Sequence, residues 1–339
     1  MSGRANTRRR ALSACALAAL LAAPPCARAF ADELAMQSDR AAQALLLHVA
    51  RAGPRIVGVG EWGHVVLSDD GGRSWRQAKS VPTRVTLTGL FFVGARLGWA
   101  VGHDGVILHT ADGGDVWELQ REAREDETPL LSVWFENATR GLAVGAFGLA
   151  LETRDAGKSW RRVAGIGSGE EDRHLNQIFA GPEGTLFIAA EYGTVYRSDD
   201  RGRSWRDLHP PYSGSFWGGL TTSQGAVLVF GMRGHVFRTE DLGATWVAIR
   251  SGTEQSLGGA TELADGRIVI VGLGGAVLFS DDGGKTFAAT TRPDRRGIAA
   301  VAAGADGQIL LFGETGVQTG SDGRPSARAE AAQPRAPGP

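Results

Sequence analysis

The sequence predicts an all-β chain, a seven-bladed β-propeller of four-stranded antiparallel blades. Three observations predict it. An eight-residue box recurs six times at near-constant spacing. A glycine-containing segment runs into each box and occurs a seventh time, as FGETGVQTGS from Phe312. Between these marks, short apolar runs alternate with turn residues, and no long helical periodicity appears outside the N-terminus.

The boxes are SDDGGRSW from Ser68, TADGGDVW from Thr110, TRDAGKSW from Thr153, SDDRGRSW from Ser198, TEDLGATW from Thr239 and SDDGGKTF from Ser280. Their steps are 42, 43, 45, 41 and 41 residues. A hydroxyl stands first, Asp third, Gly fifth and an aromatic eighth. The third and eighth positions hold Asp70 and Trp75, Asp112 and Trp117, Asp155 and Trp160, Asp200 and Trp205, Asp241 and Trp246, and Asp282 and Phe287. Only the third-position carboxylate is common to all six. One carboxylate suits a turn that accepts backbone N–H groups of its own loop. Calcium would require several oxygen ligands and a closing glutamate. The boxes are therefore read as structural, and no metal site or cofactor is expected.

One repeat, residues 87–119, shows the blade. Strand a is predicted over Leu87–Val93, b over Gly98–Val101, c over Val106–Thr110 and d over Val116–Leu119. A Gly-x-x-Gly turn joins b to c, and the box joins c to d. Residues 30–320, 291 in all, hold seven such units. The 49 glycines are about twice the average share, as many tight turns require. The seventh repeat loses its box to SDGRPSAR and so lacks an outer strand. The segment before Leu45, within Phe30–Ala44, is expected to pair there and close the ring.

The ends read differently. Residues 1–29 form an export signal: Arg4, Arg8, Arg9 and Arg10, the apolar run Ala11–Ala23, and the small-residue site Ala27-Arg28-Ala29. The mature chain then starts at Phe30, and a periplasmic location follows. Both cysteines, Cys15 and Cys26, fall in the signal, which excludes disulfide and thiol chemistry from the mature chain. Without residues 1–29 the balance is 31 basic to 37 acidic residues, a net −6 that argues against nucleic-acid binding. No other segment is long and apolar enough to span a bilayer. Residues 321–339, rich in Pro and Ala, are expected to be disordered.

In a propeller the b–c turns and d–a loops share one face, and the boxes lie on the other. The b–c turns carry Glu61 and Trp62, His103 and Asp104, Phe147, Glu191 and Tyr192, and Arg233. The d–a loop 209–217 adds Tyr212, Phe216 and Trp217. Aromatic and charged residues around one channel mouth have the composition of a protein-recognition surface. Acidic d–a loops (Glu122, Glu125, Asp126, Glu127; Glu170, Glu171, Asp172) belong to the same face. No catalytic residue is assigned. The seven histidines show no metal-ligand spacing, and GIGSG at 165–169 has no helix after it to make a phosphate loop.

Two families share these motifs. The box resembles the Asp box of sialidase-type repeats. Those enzymes imply a Tyr nucleophile near the C-terminus, but the three tyrosines here are Tyr192, Tyr196 and Tyr212. Their early Arg-Ile-Pro motif is matched only by Pro54-Arg55-Ile56-Val57. Closer is GWAVGHDGVILHTADGGDVW (98–117), which resembles the repeat of the photosystem II stability/assembly factor family. That resemblance covers almost the whole mature chain. It implies a single-domain, exported, non-catalytic propeller that binds a membrane-protein partner during assembly. The expectation is a monomer that binds an inner-membrane protein or complex. The alternative is a glycan-binding or glycoside-hydrolase propeller that uses the same face.

Overall fold

A computed structural model describes residues 34–166 and 173–320. The expected signal (1–29), the tail (321–339) and the acidic stretch Glu170–Asp172 lie outside these residues. The fold is a seven-bladed β-propeller, with six blades of four antiparallel strands in simple a-b-c-d order. The second blade runs Leu87–Val93, Leu97–Gly102, Ile107–Thr110 and Glu118–Arg121, close to the predicted spans.

Burial follows strand position. The b strands Gly141–Gly145, Leu186–Ala190, Val227–Gly231, Ile268–Gly272 and Ile309–Gly313 are buried along their whole length. A neighbouring blade covers each of their faces, so they read as continuous apolar runs rather than alternating ones. The d strands Arg161–Arg162 and Ala288–Thr291 are exposed throughout. Seven apolar clusters, one per pair of adjacent blades, form the core.

The boxes are hydrogen-bonded turns. Thr239 Oγ1 donates to Asp241 Oδ1 at 2.7 Å and accepts the N–H of Gly243 at 2.9 Å. Asp241 Oδ1 also accepts the N–H of Thr245 at 2.8 Å, and Oδ2 accepts its hydroxyl at 2.6 Å. Gly243 sits at φ 88°, where an L side chain is strained. The same pattern recurs around Asp70, Asp155, Asp200 and Asp282. At Asp112 the hydroxyl donor is missing, because Val116 stands in its place and only its N–H bonds, at 3.0 Å. The box aromatics pack between blades: Trp117 is 2% exposed, and Trp75 meets Phe312 edge-on at 5.7 Å.

The last blade corrects one expectation. It has three strands, Ile298–Ala303, Ile309–Gly313 and Gly316–Gly320, and among the described residues no fourth strand pairs with it. Residues 34–38 instead run along the outside of the first blade, with the Ala35 N–H donating to Val81 O at 2.9 Å. Ala41–Gln43 then forms one 3-10 turn. Ala41 and Ala42 of this turn pack with Trp75 and Val317, beside the edge where the missing strand was expected. The physical reason is composition: the segment has no β-branched residue, and its alanines favour a helical turn. The ring closes through packing and through the Ala305 N–H, which donates to Gly71 O at 2.8 Å.

Candidate functional site

Six of the seven b–c turns share one geometry. Each is a triplet: Glu61–Gly63, His103–Gly105, Ala146–Gly148, residues 191–193, Met232–Gly234 and Leu273–Gly275. The third residue is glycine at positive φ, because the turn lies directly on the backbone of a d–a loop. A Cβ on Gly63 would stand 2.1 Å from Thr83 O, and one on Gly193 would stand 1.7 Å from Tyr212 O. These contacts place the b–c turns and d–a loops on one face. The boxes lie on the other face with the a–b turns, as the Gly71–Ala305 contact shows.

The middle residue of each triplet is also left-handed: Trp62 (φ 57°), Asp104 (54°), Phe147 (53°), Tyr192 (53°), Arg233 (55°) and Gly274 (61°). Bulky non-glycine residues rarely adopt this conformation, which costs about 1–2 kcal/mol per residue. Trp62, Phe147 and Tyr192 are nevertheless 59%, 53% and 56% exposed. Three aromatic rings are thus held in water by strained backbone, although glycine would fit each position without strain. The same conformation recurs on the opposite face, at Ala156, Arg201 and Leu242 of the boxes and at Glu183 and Asp306 of the a–b turns, so it is the exposed rings that set the b–c face apart. Leu273 and Met232 extend the exposed apolar surface on the same turns.

Several predicted residues have structural partners. Glu61 Oε1 accepts the Leu45 N–H at 2.9 Å, and Glu191 Oε2 accepts the His174 N–H at 2.9 Å. Each carboxylate pins the entry to its own blade's strand a. His174 also lies against Phe147, with ring centroids 4.8 Å apart. Tyr212 is half-buried, donates its hydroxyl to Met232 O at 3.2 Å and packs 4.3 Å from His235. Burial pushes its phenol pKa up. His103 is exposed at the second triplet, and Asp104 O beside it accepts the Ala123 N–H. Phe216 is a correction. It is fully buried between the fourth and fifth blades and so packs the core instead of meeting a partner. Its apolar side chain begins strand a, where the first residue points inward in every blade.

Trp217, its neighbour, takes another role. Every strand a carries a β-bulge at its second residue. The extra residue turns into the central channel. These residues are Leu47, Thr88, Leu131, Asn176, Trp217, Gly258 and Ala299, one per blade, and all seven line a cavity of about 400 Å³. The bulges lie at the b–c end of each strand, so the cavity opens on the aromatic face, and Leu273 of a b–c turn also lines it. Reading turns alone misses this ring. Its signal was the residue after the first apolar position of each strand a, at a constant phase of the repeat.

Charge on this face is uneven. Glu125, Asp126 and Glu127 are exposed on the d–a loop after the second blade. Burial raises the Glu122 pKa, and the nearby Asp104 charge raises it further. Arg124 pairs with Glu122 at 2.8 Å. Among the described residues no three His, Cys, Asp or Glu side chains converge on a possible metal position.

The family profile described as photosynthesis system II assembly factor YCF48 matches residues 73–324. The chain belongs to that family. A solved YCF48 structure, described as bound to a D1 peptide, is similar at 18% identity, covers 85% of this chain and 95% of its own, and has a TM-score of 0.67. YCF48 from Cyanidioschyzon merolae aligns at 16% identity over 82% of this chain and 95% of its own, with a TM-score of 0.63. A streptogramin B lyase reaches a TM-score of 0.67 at 12% identity, over 82% of this chain and 93% of its own. At such identities these structures share the fold alone, and an enzyme shares it as closely as YCF48 does. No curated protein sequence matches the chain.

Proposed function

We propose that this is an exported, non-catalytic propeller that binds a protein partner on its b–c face. It acts as an assembly or accessory factor for an inner-membrane protein or complex. One observation carries the reading: Trp62, Phe147 and Tyr192 are all exposed on the b–c turns, on the face where the central cavity opens. Large, rigid aromatic rings of this kind anchor protein interfaces. Membership of the YCF48 family supports it, as does the description of one YCF48 structure as bound to a D1 peptide. The signal read in residues 1–29 supports export to the periplasm.

The glycosidase alternative has less support. It requires two free carboxylates across a cleft. Of the acids on the face, Glu61 and Glu191 are already occupied by backbone N–H groups. Among the described residues no helix is long and apolar enough to cross a membrane, so membrane association would run through the partner. Affinity capture of the tagged protein from gently solubilised membranes tests the proposal. A membrane protein should co-purify with the wild type and be depleted with Trp62→Ala/Tyr192→Ala.

A further inference from the structure

The cavity at the channel mouth is lopsided. Gly258 and Ala299 of the last two blades leave room between Trp217 and Leu47, and Leu131 stands across the ring. A Cβ on Gly258 would meet only Ala299 O, at 3.7 Å. Three polar side chains of the wall are used between blades. Thr88 Oγ1 donates to Leu130 O at 2.6 Å, and Asn176 Nδ2 donates to Phe216 O at 2.8 Å. Gln177 Oε1 accepts the Gly219 N–H at 2.8 Å. Among the described lining residues the one titratable group is His48, which burial keeps neutral near pH 7 by pushing its pKa down to about 4. An uncharged, mostly apolar, concave site remains, with the Nδ1 atom of His48 buried and without a hydrogen-bond partner. Its size exceeds the roughly 150 Å³ at which an apolar cavity takes up a benzene ring.

The surroundings say what could occupy it. Thr88 of the wall lies two residues after Thr86, whose carbonyl holds the second b–c turn through His103. The acidic loop Glu122–Glu127 packs on that same turn through Ala123 and Asp104. An apolar socket therefore adjoins an acidic loop on one continuous face. We propose that the socket receives one bulky apolar side chain from an extended segment of the protein partner, and that the acidic loop receives a basic residue of the same segment. This inference rests on the protein-binding reading above and names the chemistry of the segment bound. A bilayer offers the same apolar and charged chemistry, but its surface does not fit a socket set within the channel.

A capped seven-residue peptide with Phe at its centre and Lys on both flanks probes the site, measured by anisotropy of a fluorescent label. The wild type should bind it at least tenfold more tightly than the peptide with Ala for Phe. Gly258→Leu, which fills the socket, should remove that preference; if it shifts the melting temperature by more than about 5 °C, Ala299→Leu replaces it. Glu125→Gln/Asp126→Gln/Glu127→Gln should weaken binding at least threefold and flatten its salt dependence. Equal binding of the Phe and Ala peptides overturns the proposal. So does an unchanged preference in the filled variants, or equal binding of wild type and Gly258→Leu to anionic vesicles with no peptide preference. If Gly258→Leu still captures the membrane partner like wild type, the socket fails while the protein-binding reading stands. If wild type binds the Phe peptide but captures no partner, the reading fails while the socket stands.

Discussion

Glu61 Oε1 accepts the backbone N–H of Leu45 at 2.9 Å, so a carboxylate on the b–c face is bound to its own fold. Glu191 repeats the contact with His174 three blades on. These bonds assign both acids to the scaffold. Glu61→Gln keeps an acceptor oxygen and should lower stability by less than about 1 kcal/mol, whereas Glu61→Ala leaves an N–H without its partner and should cost about 1–2 kcal/mol. Neither should abolish partner capture. Urea unfolding of the two variants separates these outcomes.

Strain and binding should trade against each other at the turns. Tyr192→Gly and Phe147→Gly relieve a left-handed residue and remove an exposed ring. Each should raise stability by about 1 kcal/mol and weaken partner capture. Thermal melts read the first effect and co-purification the second.

The second box should be improvable. Val116 sits where the other five boxes place a hydroxyl that donates to the aspartate at 2.6 Å, and it is 43% exposed. Val116→Thr should add that bond and stabilise the fold by about 0.5–1 kcal/mol. Trp117→Ala, by contrast, empties a buried site and should cost about 3–5 kcal/mol. Both follow from denaturant midpoints.

Stability should fall with acidity in two stages. His48 has a folded pKa of about 4, below its ordinary 6.5, because burial disfavours its charged form. As pH falls below 6.5 the unfolded chain takes up the proton first, so stability declines until about pH 4. His64 and His109, lowered by burial, add to the same window. Asp155 and Asp241 are held at about 2 by the hydroxyls and N–H groups of Ser159 and Thr245. For Asp282, burial pushes upward and the Thr286 bonds outweigh it, again giving about 2. Their contribution is present above the ordinary 3.8 and is lost as pH falls through about 2. Melting temperatures from pH 7 to pH 2 should show both declines, and His48→Gln should flatten only the upper one.

The blade count was legible because each box confines its recurring Asp, Gly and hydroxyl to one turn, so spacing translates directly into blades. The face was legible too, since Trp62, Phe147 and Tyr192 follow the last residue of strand b at a fixed offset. What the sequence hid depends on contacts across blades. The bulge that turns Trp217 into the channel while burying Phe216 is a matter of strand register, which shows only when the starts of all seven a strands are aligned, not in the turns read singly. The composition of the segment already disfavoured a strand at Ala41–Gln43, but where its 3-10 turn sits depends on packing against Trp75 and Val317, which no local pattern shows.

The central claim is that the aromatic b–c face holds a protein partner. It is tested most directly by capture from membranes with wild type, Trp62→Ala/Tyr192→Ala and, as a control on the opposite face, Arg73→Ala, whose ion pair with Asp306 is exposed. Wild type and Arg73→Ala should recover the same membrane protein, and the double variant should recover at most a tenth as much. Equal recovery by all three, or recovery of the tagged protein alone, would contradict it.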